Sequence, residues 1–188
     1  TSIEARTGRV IEPDVLSLRI VQLLPKDTIL VDEGLTSSQA VTRLFAYQDA
    51  WSYYGLASGG IGFAVAGAIG IRLAVPNRPL VALIGDGSAM YNIQALWTAA
   101  HLRLPIVYVI ANNGGYRILK QRIRKRYGLE HPVGMDLSAP PIDFAALATS
   151  MGVRSQRVTE PDEIAPALRT ALAHEGPTLL DVIVNSPN

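Results

Sequence analysis

The chain has 188 residues, carries 17 Lys and Arg against 16 Asp and Glu, and contains no cysteine. That length suits one domain, and 48% hydrophobic against 18% charged residues supplies a core and excludes a disordered chain. The missing cysteine excludes a disulfide scaffold, a thiolate metal site and a cysteine nucleophile and fits a reducing, cytoplasmic compartment. A net charge of +1 gives no pull toward nucleic acid or an anionic membrane, and no apolar run approaches the roughly 20 residues of a membrane span.

The start, Thr1-Ser2-Ile3-Glu4-Ala5-Arg6, has no apolar stretch of the kind a signal peptide needs. It has no Met at position 1 either, and the chain is expected to be the C-terminal part of a longer one. Pro13 opens a helix over Asp14–Leu24. Thr28–Asp32 is a short strand, and Ser37–Phe45 is a helix. Gly59-Gly60-Ile61-Gly62 opens a buried helix that runs to Ala74. Leu80–Ile84 and Ile106–Ile110 are Val- and Ile-rich runs, as strands buried on both faces should be. Between them, Ser88–Ala100 carries Ala89, Ile93, Leu96, Trp97 and Ala100 at helical spacing. A basic helix after Gly115 holds Arg117, Lys120, Arg122, Arg124, Lys125 and Arg126. It lacks aromatic interleaving or a nucleic-acid motif, so it reads as a solvated face or a lid near an anion. Tyr127–Pro141 is a loop. Gly152–Val158 and Thr178–Val184 are strands on either side of a helix over Pro161–His174. The alternation predicts an α/β fold, a parallel sheet with helices on both faces, in one domain spanning residues 1–188.

The sharpest motif is Ile84-Gly85-Asp86-Gly87-Ser88, which leaves a strand and enters a helix. Ligands of open parallel sheets gather at the carboxyl ends of strands, where a helix start offers free N–H groups to phosphate. Asp86 would repel phosphate unless a divalent cation lies between them, and Mg²⁺ commonly bridges a carboxylate to substrate phosphates. The next strand ends in Asn112-Asn113-Gly114-Gly115, beside the first. Asn113 there supplies an amide oxygen and Gly115 a backbone carbonyl to the same cation. Taken singly, Asp86 reads as a helix cap and the Asn-Gly run as a turn; the pair together favours a metal-phosphate site. The dinucleotide fingerprint fails at Met90, and no Gly-Lys-Ser/Thr of a P-loop occurs.

Gly85-Asp86-Gly87, 24 residues, then Asn112-Asn113 resembles the signature of thiamine-diphosphate-dependent enzymes. Ala57-Ser58-Gly59-Gly60-Ile61-Gly62-Phe63-Ala64 is similar to that family's cofactor-clamping segment. The chain resembles the C-terminal, diphosphate-binding domain of the pyruvate decarboxylase and acetolactate synthase group. Val31–Ser37, Ala95–Ala100 and Pro141–Phe144 are most similar to the benzoylformate decarboxylases.

The resemblance implies a thiamine diphosphate and Mg²⁺ site in a non-oxidative 2-keto acid decarboxylase. Asp86, Asn113 and the Gly115 carbonyl hold the metal. Gly85, Gly87, Ser88, Leu35, Thr36, Tyr91 and Tyr116 contact the cofactor, mostly at its diphosphate. Ile61 enforces the cofactor's bent shape, and the Gly59 carbonyl accepts from its 4′-amino group. The resemblance also implies a partner: a pyrimidine-binding domain or subunit that carries the activating Glu, in a homo-oligomer of complete chains. Glu33 does not stand in for that Glu, so the isolated chain is expected to be inactive. Gly55, Ile118 and Arg122 fall at substrate-pocket positions, and Arg122 suits an acidic substrate. His101, His131 and His174 are expected in surface or packing roles. The alternatives are an acetolactate-synthase-like carboligase, a separate β subunit as in sulfopyruvate decarboxylases, and a non-catalytic cofactor-binding module.

Overall fold

The structure is a computed structural model, and it describes residues 10–185; the reading of the first six residues lies outside them. Six strands form one parallel sheet: β1 (Ile29–Glu33), β2 (Tyr53–Gly55), β3 (Leu80–Gly85), β4 (Val107–Asn112), β5 (Arg154–Val158) and β6 (Thr178–Ile183). Their spatial order is β2-β1-β3-β4-β6-β5. Eight helices accompany them among the described residues: α1 (Pro13–Leu23), α2 (Val41–Leu44), α3 (Ala64–Ala74), α4 (Asp86–Ala89), α5 (Ala95–His101), α6 (Arg117–Tyr127), α7 (Phe144–Ser150) and α8 (Pro161–Leu172).

The central strands are buried on both faces, and alternation along them divides the core in two. Leu80, Ala82 and Ile84 of β3 and Tyr108 and Ile110 of β4 face α3, α5 and α7. Val81 and Leu83, with Val107 and Val109, face α1 and α8. Helix α6 joins neither layer and buries no residue. Arg72, buried near the end of α3, donates to the carbonyls of Pro76 at 2.8 Å and Pro105 at 2.6 Å. Its guanidinium thereby closes the edge of the sheet opposite the strand exits, and burial pulls its pKa below the ordinary arginine value.

Three expected helices are shorter than their sequence patterns suggest. Ser37–Phe45 is a 3-10 turn (Leu35–Ser37) followed by the single turn of α2. The hydroxyls of Ser38 and Thr42 donate to nearby carbonyls, Leu35 at 3.5 Å and Gln39 at 3.1 Å, and so compete with regular helix. Ser88–Ala100 divides into α4 and α5. Tight turns such as Tyr91 N–H to the Ser88 carbonyl and Asn92 N–H to the Ala89 carbonyl keep the chain winding between them. This preserves the apolar spacing that suggested one helix. Residues 59–63 are loop, and α3 begins at Ala64. Two elements were not foreseen. β2 is three half-buried residues, Tyr-Tyr-Gly, too short for a pattern. α7 starts at an Asp143 N-cap that accepts from Ala146 N–H at 2.9 Å.

The strand order places the site. The chain leaving β1 turns toward β2 on one side, whereas the chain leaving β3 turns toward β4 on the other. The two connections diverge above the β1–β3 pair and leave a crevice at the carboxyl ends, where ligands of such sheets bind.

Candidate functional site

That crevice is a cavity of about 310 Å³. Leu35 and Thr36 line it from the exit of β1, and Gly59 and Ile61 from the loop before α3. Gly85, Asp86, Gly87 and Ser88 line it from the exit of β3, with Tyr91 one turn on, and Asn113, Gly115 and Tyr116 line it from the exit of β4. Every residue singled out in the sequence as a metal or cofactor contact therefore faces one space. Leu35 is held at φ +53°, a strained backbone for a branched side chain, and such strain concentrates at functional sites.

Asp86 is the charged group at the base of the cavity and only 2% exposed. Its Oδ2 accepts from Gly115 N–H at 2.9 Å, and the amides of Gly87 and Gly114 also point at the carboxylate. These donors favour the ionised form, but desolvation by burial outweighs them and pushes the carboxyl up to about 6. Helix α4 is four residues long, so these donors are local amides rather than the end of a long helix dipole. The β3–β4 register pairs Gly85 with Ala111 and brings the Asn112–Gly115 turn against Asp86. The turn closes over the site through Tyr116, and a side chain at Gly87 would have its Cβ 2.6 Å from the Tyr116 ring.

The donor set fits a hard cation bound through phosphate. Asn113 Oδ1 and Ser88 Oγ are buried without a hydrogen-bond partner among the described residues. Asn113 Oδ1, the Asp86 carboxylate and the Gly115 carbonyl give an all-oxygen set, the chemistry Mg²⁺ prefers, and leave the Ser88 hydroxyl to donate to a phosphate oxygen. Among the described residues there is no group of three or more His, Cys, Asp or Glu suited to a metal. A cation held here would complete its shell with water or with oxygens of a bound molecule.

Two site residues escaped the sequence reading. Glu33 ends β1 and is 1% exposed. Its carboxylate accepts from the N–H of Gly62 and, at 2.6 Å, from that of Ala64. Asn92 Nδ2 donates to the Gly62 carbonyl. Glu33 and Asn92 grip the loop that presents Gly59 and Ile61 from opposite sides. The only sequence signal was an acidic residue ending a buried strand. The neighbouring Asp32 accepts from Gly34 N–H at 3.0 Å and from the Tyr53 hydroxyl at 2.7 Å. Burial, then this contact with Asp32, raises the Tyr53 phenol above its ordinary pKa.

Helix α6 forms one wall with Arg117, Ile118, Leu119 and Arg122, and Leu56 adds apolar surface, while Gly55 does not line the cavity. A larger cavity of about 450 Å³ lies between α6 and residues 130–136. Two of its cations are already paired, Lys120 with Asp136 and Arg124 with Glu130 at 2.7 Å, and it lacks the glycine-rich backbone. Its size does not make it the better site. His131 lines that second cavity; His101 stacks on Trp97 with ring centroids 4.9 Å apart, and His174 Nδ1 accepts from Gly176 N–H at 3.1 Å. None of the three reaches the crevice.

Residues 34–182 match the family described as thiamine pyrophosphate enzyme, C-terminal TPP binding domain. The chain is 41% identical over 170 residues to IlvX of Mycobacterium tuberculosis, which carries the name of an acetolactate synthase large subunit; the match covers 87% of this chain and 33% of that protein. It is 36% identical over 178 residues to the benzoylformate decarboxylase of Pseudomonas aeruginosa, covering 95% of this chain and 33% of that one. Among solved structures, the thiamine diphosphate-dependent 4-hydroxybenzoylformate decarboxylase of Rhodococcus jostii RHA1 superposes with a TM-score of 0.89 at 38% identity, over 96% of this chain and 34% of the other. The chain spans about a third of the length of these relatives. No helix among the described residues is long and apolar enough to cross a membrane.

Two outcomes are expected. In metal-free protein, Asp86 titrates near 6 against an unfolded value of 3.8, so the folded state holds its proton longer. Stability is then unaffected below about pH 4, falls as pH rises through 6, and stays lower by up to about 3 kcal/mol. Asp86→Asn should therefore raise the melting temperature of metal-free protein at pH 7.5, lose that gain as pH falls to about 4, and bind no cofactor in the presence of Mg²⁺; a gain independent of pH would refute the assignment. Glu33→Ala leaves the buried amide of Ala64 and the half-buried amide of Gly62 without acceptors and should cost about 3 kcal/mol in denaturant unfolding. Hydrogen exchange should accelerate selectively at Gly62 and Ala64.

Proposed function

The chain belongs to the thiamine pyrophosphate enzyme family as its C-terminal TPP-binding domain, and on that premise we propose that the complete protein is a non-oxidative 2-keto acid decarboxylase resembling the benzoylformate decarboxylases. The observation that carries the cofactor site is the convergence of Asp86, the partnerless Asn113 Oδ1 and Ser88 Oγ in one cavity. The likeness to two aryl-keto-acid decarboxylases over 95% and 96% of the chain supports decarboxylation.

When bound, thiamine diphosphate supplies the carbon that adds to the keto group and the sink for the electron pair left as CO₂ departs. The chain's own residues place and hold it. Asp86, Asn113 and the Gly115 carbonyl would hold Mg²⁺, and the Gly87 amide and Ser88 hydroxyl would donate to the diphosphate. Tyr91, Tyr116, Leu35 and Thr36 wall the diphosphate end. Ile61 would pack against the cofactor, and the Gly59 carbonyl would accept a hydrogen bond from an amino group of its pyrimidine. A Glu on a pyrimidine-binding domain outside this chain activates the pyrimidine, in a homo-oligomer of complete chains, and the isolated domain is inactive.

Two observations favour variants of this reading. The 41% identity to IlvX supports a carboligase that would join the substrate fragment left after CO₂ loss to a second keto acid. Arg122, exposed on α6, lines the cavity with no hydrogen bond or ion pair among the described residues, which supports a substrate with a second negative charge over an aromatic one.

The deciding assay is CO₂ release by the complete protein with Mg²⁺ and thiamine diphosphate, across aromatic, aliphatic and dicarboxylic 2-keto acids. Aldehyde product is expected; an acetohydroxy acid would establish the carboligase, and no CO₂ from any of them would overturn both. Ile61→Ala should keep Mg²⁺-dependent cofactor binding while slowing exchange of the thiazolium C2 proton.

A further inference from the structure

We propose that Asp181, which does not line the cavity, is a positioning residue that sets the orientation of the metal-binding turn through Asn112. The inference rests on the assignment of Asn113 and Gly115 to Mg²⁺.

Asp181 lies in β6, between β4 and β5, and is fully buried. It stands opposite Ile110 of β4 and Arg157 of β5. On the same face its strand neighbour Leu179 packs in the apolar core with Phe144. A leucine or valine at 181 would continue that core, and a buried ion pair commonly stabilises less than such a replacement. The carboxylate therefore calls for a reason other than stability.

Its contacts supply one. Asp181 Oδ2 accepts from Arg157 Nε and Nη2, both at 3.1 Å, and Oδ1 accepts from Asn112 Nδ2 at 2.9 Å. An ionised carboxylate only accepts, so it dictates which end of the Asn112 amide faces it. The NH₂ group must point at Asp181, and the carbonyl oxygen must point at the turn. There Asn112 Oδ1 accepts from Gly114 N–H at 3.2 Å. Gly114 sits at φ +71°, a conformation that glycine adopts without steric cost. The residues on either side of it are Asn113, whose Oδ1 lacks a partner, and Gly115, whose N–H holds Asp86. Asp181 thus decides, through one amide, how the turn is held.

The relay extends the other way. Arg157 Nη2 is 3.5 Å from Asp143 Oδ1, and Asp143 caps α7. A polar line therefore crosses β4, β6 and β5 from the metal turn to a helix start. Outer partners of this kind orient metal ligands, and their loss typically weakens metal affinity by about 10- to 100-fold.

The isosteric change Asp181→Asn makes the test sharp. With its oxygen kept by Arg157, the new amide turns its NH₂ toward Asn112, which must flip to accept. That places the Asn112 NH₂ against Gly114 N–H, donor against donor. In the complete protein, Mg²⁺ titrated calorimetrically at fixed thiamine diphosphate should bind about 10- to 100-fold more weakly to Asp181→Asn and to Asn112→Ala. The double variant should be no worse than either alone, because both break one relay. The metal-free melting temperature of Asn112→Ala should fall, because the buried Asp181 Oδ1 loses its donor, so Mg²⁺ affinity is read at a temperature where the metal-free variant is still folded; Gly114 amide exchange should speed up. If Asp181→Asn does not fold, Asn112→Ala decides by the same measure. Unchanged Mg²⁺ affinity in these variants, where Asn113→Ala abolishes binding, overturns the relay and leaves the metal site standing. Unchanged affinity in Asn113→Ala as well overturns the metal site itself.

Discussion

Asp86 carries its carboxylate at 2% exposure, among backbone amides, with no salt bridge to a cation among the described residues, and most of the ligand-facing end of the molecule follows from keeping it there. The charge can be held only where several N–H groups converge, so β3 and β4 must end in register and the turn after β4 must wrap back over the exit of β3. Tyr116 can close that wrap only over a residue without a side chain, which is Gly87. Even so, burial outweighs the hydrogen bonds. The site is an electrostatic deficit that the folded chain alone does not relieve and that a bound cation would.

The same logic separates two kinds of buried polar group in this fold. Arg72 tidies the edge of the sheet remote from the site, satisfying two carbonyls that the chain would otherwise strand. Glu33 and Asn92 stabilise a loop that has little packing of its own, because it presents backbone and Ile61 to the cavity rather than to the core. The sheet supplies rigidity from its two apolar faces. The side chains at its carboxyl edge convert that rigidity into the placement of loops.

How much of this was legible depended on how local each signal is. Gly85-Asp86-Gly87 and Asn112-Asn113 could be recognised because each motif is contiguous and the strands that carry them are plain apolar runs. The grouping of Leu35, Thr36, Gly59 and Ile61 with them came from family likeness, since no periodicity brings those segments together. Glu33 and Asp181 were opaque for a physical reason. Glu33 finds its amides 29 and 31 residues away, and Asp181 finds Asn112 69 residues away. Only the strand order makes them neighbours. The expected helices failed where tight turns mimic helical spacing, as between α4 and α5, and where hydroxyls compete with the backbone, as after β1.

Helix α6 has no buried residue, yet four of its side chains face the cavity. Ion pairs to residues 130 and 136 and the left-handed Gly128 at its end secure it, rather than core packing. Changes at exposed positions of this kind usually shift stability by no more than about 0.5 kcal/mol. The two ends of the site therefore differ in evolutionary freedom. At the Asp86 end almost any replacement disturbs a buried charge or a closed turn. Along α6, Ile118, Leu119 and Arg122 can be exchanged while the scaffold barely registers the change, so lineages sharing this fold have a wall on which preference for new molecules can drift without endangering the fold beneath it.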